Sequence, residues 1–566
     1  MTRRTALAIA LGLTACASLM LSARQANPAF DLVLLNGRVV DGTGSPWFRA
    51  DVGVTGDRIV ALGQLATATA RVRIDAANLV VTPGFVDMLG QSETSLLADP
   101  RGASKLMQGI TTELTGEGTS AGPINDRMIA DDATVWERRR ITVDWRTLGE
   151  YLTRLNDRTK PGINLGSFVG AGGVRNLVIG RADRPATPAE LDAMKREVAR
   201  AMQDGAFGLS SSLQYVPDRF ASTAELVELA RVAAQYGGIY ITHQRSESGR
   251  IFESLDEIFT IAEQAKIPAE IYHLKTAYQP NFGRMPAVLE RIRAARARGL
   301  DITADQYPYS RAANGLDACL PLWVREGSKA QMIARLKDPS QRDRIKRDMA
   351  DANATTWENQ WVGSGGAEGV LLIDVTNPTL RQYEGLSLAE IGRRLNKDPR
   401  DVVADFVVAD NASSMAVISI MRDDDVELAL KDPLVSVGTD FEARAEDGLM
   451  SESKSHPRAW GSFPRILGYY VREKQLLPLE AAVRKMTSQP AARVGLQDRA
   501  ILRPGMIADI TVFDPATIRD VSTYDNPTHY SVGIRHVVVN GQIAVRDGRL
   551  TEVRAGRALR GPGYTR

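Results

Sequence analysis

The chain has 566 residues, 44% apolar and 24% charged, enough to bury a large core and to build one large domain with a smaller one beside it. This composition excludes a disordered chain. The formal charge is only +2, and Arg3 and Arg4 lie within residues 1–23, so the remainder is neutral and predicts no surface for nucleic acid.

The opening "MTRRTALAIALGLTACASLMLSA" starts basic, runs apolar and ends in small residues, as a secretory signal peptide over 1–23 does. It predicts an exported, periplasmic protein. "LTAC" also resembles a lipoprotein processing site, in which case Cys16 would carry lipid and anchor the chain to a bacterial membrane. An uncleaved anchor is the third reading, because the apolar run approaches the ~20 residues that span a bilayer. Cys319 is the one other cysteine, so no intramolecular disulfide framework is expected.

Residues 29–80 alternate short β-rich runs with turns, in "DLVLLNGRVVDGTG", "ADVGVTGDRIVALG" and "VRIDAANLVV". A matching set returns over 496–560, in "ADITVFDP" and "IRHVVVNGQIAVRDGRL". The two sets are predicted to pair into one small β-sandwich built from both chain ends, with Asn36-Gly37 and Asn540-Gly541 as hairpin turns.

Between them, over 81–495, strand-like runs at 81–87, 110–114, 163–169, 206–211, 238–243, 268–273, 300–305 and 433–439 alternate with amphipathic runs of helix length. Eight such strands predict an α/β fold, a (β/α)8 TIM-like barrel with its active site at the carboxyl ends of the strands. The interval 311–432 is too long for a loop and should hold an inserted lid or subdomain. Its Trp323, Trp357 and Trp361 would either close over a ligand or form the insertion's own core.

On this reading, polar residues should appear where apolar strands end. "GGIYITHQRSE" puts His243 at the end of the fifth strand and "IPAEIYHLK" puts His273 at the end of the sixth. The chain has only five histidines, and these two fall one strand-plus-helix unit apart, so they should be neighbours on the rim. "LVSVGTD" brings Asp440 to the eighth position, and "ITTELTGEG" brings Glu117 just past the second. Two imidazoles and two carboxylates at one mouth would suit Zn²⁺. The alternatives are a helix cap or an Arg101 pair for Glu117, and a structural turn for Asp440.

With these residues in view, the chain resembles the N-acyl-D-amino-acid deacylase (D-aminoacylase) family of the amidohydrolase superfamily. The ordered blocks that carry the resemblance include "TPGFVDM", "QGITTELTG", "GLSSSLQYVP", "THQRSE", "YHLK", "DQYPY", "VGTD", "HPRAWGSFPRILGYYVRE" and "KMTSQPAARVGL". The resemblance implies that His243 and His273 hold the tightly bound zinc and that Asp440 is the catalytic aspartate. It also implies that Arg458 holds a substrate carboxylate and Tyr307 contacts substrate, with Ala313 standing where a serine is usual. Lys275 and Arg245 are further candidates for substrate binding.

Two departures concern the metal. The family's first-strand His-x-His aligns with Leu89 and Gln91 in "DMLGQSE", and its cysteine ligand aligns with Glu117 after a one-residue deletion. Glutamate for cysteine exchanges one anionic ligand for another. Leucine offers no lone pair and the glutamine amide only a weak one, so the expectation is a single divalent ion, Zn²⁺, with Gln91, Ser92 or Glu93 free to meet a small N-acylated amino acid. The expected chemistry is amide hydrolysis by metal-activated water, with Asp440 moving the proton. Rival readings are a dipeptidase or other amide or lactone hydrolase, and a metal-free periplasmic binding protein.

Overall fold

The computed structural model describes residues 29–354 and 357–565; the predicted leader and Cys16 lie outside them. The strand Phe30–Val39 pairs antiparallel with Phe48–Thr55, which pairs with Arg58–Gly63. Val80–Pro83 lies parallel to the end of Phe30–Val39 and takes Ile510–Phe513 along its other edge, which joins the two ends of the chain. Ile534–Val539, Gln542–Arg546 and Arg549–Leu550 extend that side, so the strands from both ends belong to one nine-stranded sheet. The sheet curls until Arg58 bridges Ile507 and wraps a core of its own that includes Leu32, Leu34, Val52, Ile59 and Val512.

Asn540 and Gly541, at φ 47° and 80°, make the tight hairpin turn that right-handed strand twist favours. Asn36-Gly37 makes no hairpin. The register of Phe30–Val39 shifts between Leu34 and Gly37, and Asn36, at φ 63°, is the extra residue of a β-bulge pinned by Asp51 Oδ1 at 2.7 Å.

The barrel strands are Phe85–Asp87, Ile110–Thr115, Asn164–Ser167 continued by Val169–Gly170, Gly208–Ser212, Ile239–His243, Ala269–Ile271, Ile302–Gln306 and Val435–Val437. Neighbours pair in parallel throughout. The ring closes where Asp440 N donates to Leu89 O at 2.8 Å and Gly90 bridges Phe441. Helices such as Thr223–Gln235, Ile251–Ala265 and Met285–Ala297 bury one face against these strands. Thr223–Gln235 starts where the Ser222 side chain accepts from Glu225 N, satisfying one of the amides that a helix start leaves unpaired.

The insertion is a lobe with its own three-stranded antiparallel sheet, in which Met415–Ser419 lies between Arg311–Gly315 and Val370–Ile373. Helices Lys329–Lys337, Pro339–Met349, Leu388–Leu395 and Pro399–Ala409 surround it. The lobe ends before the predicted 432, because Asp423–Lys431 packs against Met285–Ala297 and Val435–Val437 as a barrel helix. Trp361 sits in the lobe's core and Trp323 packs against it. Neither these two nor Trp357 lines the central cavity. Among the described residues no helix is long and apolar enough to cross a membrane.

Candidate metal centre

A cavity of about 590 Å³ opens at the carboxyl ends of the barrel strands, walled on one side by the lobe residues Ala312, Ala313, Asn314 and Met415. In it, Glu117 Oε1 lies 3.0 Å from His243 Nδ1 and 3.3 Å from His273 Nε2. The three donor atoms fall within 4.8 Å of one another. The strand register explains the meeting: His243 ends its strand beside Ser212, and His273 leaves the adjacent strand in a left-handed turn, φ 34°, with its amide held by Asp305 Oδ1 at 2.8 Å.

Burial alone would raise the Glu117 pKa, but hydrogen bonds to the two imidazoles hold it well below the carboxylate range. Burial and Lys275 oppose a proton on His273, yet Glu247 and Glu117 outweigh them and push its pKa upward. The centre therefore attracts positive charge. Two imidazole nitrogens, on His243 and His273, and one anionic oxygen of Glu117 fit a borderline divalent ion such as Zn²⁺.

Glu247, which the sequence reading missed, stands behind both histidines. Its Oε1 is 3.2 Å from His273 Nδ1 and its Oε2 is 3.7 Å from His243 Nε2, the position from which a carboxylate orients metal-binding imidazoles. Its only sequence signal is its place four residues after His243. Lys275 lines the cavity, but its Nζ is taken by Glu247 Oε1 at 2.7 Å and His273 Nδ1 at 2.6 Å.

Asp440, also left-handed at φ 50°, stands beside the three. The Gln91 amide nitrogen spans the gap, donating to Glu117 Oε2 at 2.7 Å and Asp440 Oδ1 at 3.1 Å. Gln91 is thus a bridge between carboxylates, and only its carbonyl end is left for a substrate. Arg458 Nη1 lies 2.8 Å from Asp440 Oδ2, its guanidinium lies 4.6 Å over the Tyr307 ring, and its Nε has no hydrogen-bond partner. Tyr307 is buried in the cavity wall with an unpartnered hydroxyl. His456 accepts from Arg458 N at 2.9 Å through Nδ1, and its Nε2 lies 3.0 Å from Arg311 O. That pairing fixes a neutral imidazole with the proton on Nε2 and ties Arg458 to the lobe.

Other predicted contacts fall elsewhere. Arg245 forks onto Glu257 at 2.9 Å, donates to the carbonyls of Arg219 and Ala221, and lines a separate cavity of about 370 Å³, so its charge is spent on the protein and not on a substrate. Leu89 packs in the barrel core with Val86 and Leu114. Ser92 is buried and accepts from Ala443 N at 2.8 Å. Glu93 does line the cavity, with burial pushing its carboxyl up to about 7. Arg101 pairs with Asp99 and Asp447 and not with Glu117.

A (β/α)8 barrel with histidine and carboxylate donors gathered at its mouth defines the amidohydrolase class, and residues 409–545 match the amidohydrolase family model. The chain is 34% identical to a D-aminoacylase of Alcaligenes xylosoxydans xylosoxydans, over 94% of this chain and 97% of that protein. It superposes on an N-acyl-D-glutamate deacylase of Bordetella bronchiseptica, complexed with zinc and a phosphonate inhibitor, with TM-score 0.78, 31% identity and coverage of 94% of this chain and 100% of the other. A D-aminoacylase structure described by a binuclear metal center, with one-metal activation and second-metal attenuation, superposes with TM-score 0.76 and 33% identity, covering 94% and 100%. The chain belongs to the N-acyl-D-amino-acid deacylase (D-aminoacylase) family.

Proposed function

We propose that the chain hydrolyses the amide bond of N-acyl-D-amino acids to a carboxylate and a free D-amino acid, using a single Zn²⁺ held by Glu117, His243 and His273. The observation that carries this is the convergence of those donors beside Asp440 and Arg458 in one cavity. A divalent ion there would supply a water acidified from 15.7 towards ~7 and would polarise the amide carbonyl. Asp440 takes the water proton and returns it to the departing nitrogen. Arg458, with its planar fork and unpartnered Nε, takes the substrate carboxylate. The Tyr307 hydroxyl donates to the carbonyl oxygen as negative charge grows there. The D configuration is supported by the relatives' names. The test is incubation with matched N-acetyl-D- and N-acetyl-L-amino acids: free amine from the D series is expected, and release from the L series alone would contradict the proposal.

A single ion is supported by Leu89, buried in the core, and by the Gln91 amide lying between Glu117 and Asp440. The double variant Leu89→His/Gln91→His is expected to raise bound zinc from ~1 towards ~2 per chain, since it restores two imidazoles at that edge. An unchanged zinc content would show that something other than these two side chains limits the site. The leader pattern in residues 1–23 supports export with cleavage; the amino-terminal residue of the mature protein, near Ala23 or a lipidated Cys16, tests it, and an intact Met1 would contradict the cleavage.

A further inference from the structure

Behind the metal-facing residues lies a second, fully buried polar cluster. Lys105, on the short helix Ala103–Leu106, is 0% exposed. Its Nζ meets Asp87 Oδ2 at 2.7 Å, Thr439 Oγ1 at 2.8 Å, Phe441 O at 2.8 Å and Glu113 Oε2 at 3.0 Å. Asp87 Oδ1 accepts from Thr439 N at 2.9 Å, and Asp87 Oδ2 accepts from Thr439 Oγ1 at 2.6 Å. These contacts grip the residues on either side of Asp440, whose backbone is left-handed at φ 50°.

Burying an ammonium is a poor way to gain stability, because well-packed apolar residues of similar volume usually serve as well or better. What such a cluster supplies is a fixed geometry. Burial disfavours the charge on Lys105, but Asp87 and Glu113 more than offset this and push its pKa upward, while burial pushes the Glu113 pKa upward as well.

We infer that Lys105, acting through Thr439 and Phe441, is the positioning residue that sets the Asp440 carboxylate at the metal face. This rests on the proton-transfer role proposed for Asp440. Lys105 does not contact the substrate-holding Arg458 or the three metal donors, so its loss should slow the chemical step and leave substrate and metal binding alone. A displacement of Asp440 by about 1 Å is worth about 100-fold in rate.

The test uses the zinc-loaded full chain and an N-acetyl-D-amino acid. Lys105→Met is expected to lower kcat about 100-fold with KM within about threefold and zinc content unchanged. Because that variant strips Asp87 and Glu113 of their buried counter-charge at a cost in stability, the near-isosteric Thr439→Val is measured beside it, with about a tenfold loss of kcat expected under the same constancy of KM and zinc. A folded, zinc-loaded Thr439→Val or Lys105→Met protein with wild-type kcat, or with its defect confined to KM, overturns the inference. Asp440→Asn separates the two layers: if it is fully active the reading of Asp440 fails, whereas if it is inactive while Lys105→Met and Thr439→Val are normal only the positioning inference fails.

Discussion

Replacing His273 with alanine is expected to abolish hydrolysis and empty the metal site while the barrel stays folded. The imidazole supplies one of three donors, and its removal leaves Glu117 with His243 alone, too few for a tightly held Zn²⁺. Turnover should fall by more than ~10⁴-fold, because the acidified water and the polarised carbonyl disappear together. The stability cost should be modest, about 1–3 kcal/mol, the usual consequence of leaving buried polar partners such as Lys275 and Glu247 less well satisfied. Zinc analysis, a thermal melt and a turnover assay on one preparation check all three. Near-normal turnover would contradict the site assignment.

Asp440→Asn separates metal binding from proton transfer. The amide keeps the shape of the carboxylate, so zinc content should stay close to wild type, while loss of the charge beside the buried Arg458, 2.8 Å away, should lower the melting temperature. Asparagine cannot accept the water proton, and kcat should drop about 10²–10⁴-fold. Asp440 must be ionised to act as a base, so activity in the wild type is lost as pH falls through its pKa. That acid limb of the kcat/KM profile should vanish in the variant. Retention of both rate and acid limb would remove Asp440 from the mechanism.

The barrel was legible because parallel strands buried on both faces read as short apolar runs separated by helix-length amphipathic stretches. His243 and His273 stood out for the same reason, as polar residues closing apolar runs in a chain with only five histidines. What sequence could not convey was where a side chain turns once its strand has ended. Arg245 lies two residues past His243 yet binds Glu257 on the following helix, while Glu247, two residues further on, returns to the metal centre. Gln91 looked like a free amide, but its meaning depends on Glu117 and Asp440, which come to it from distant segments. The Lys105 cluster was hidden for the same reason: strand pairing sets Asp87 beside Glu113, and barrel closure then brings Thr439, 352 positions from Asp87, onto Asp87 and Lys105. Asn36-Gly37 has turn chemistry, and local sequence does not distinguish a hairpin from a bulge.

The departure at Leu89 and Gln91 shapes the account more than any other feature. With a leucine in the core and an amide nitrogen strung between two carboxylates, the donor cluster of Glu117, His243 and His273 remains beside Asp440.

Elemental analysis of the purified wild-type chain, paired with hydrolysis of N-acetyl-D-amino acids before and after chelation, is the most direct measurement. The expected result is ~1 zinc per chain, with activity that disappears with the metal and returns on its re-addition. Less than ~0.2 zinc per chain that reconstitution does not raise, with acylated amino acids bound but not cleaved, would instead describe a metal-free binding protein on an enzyme's scaffold.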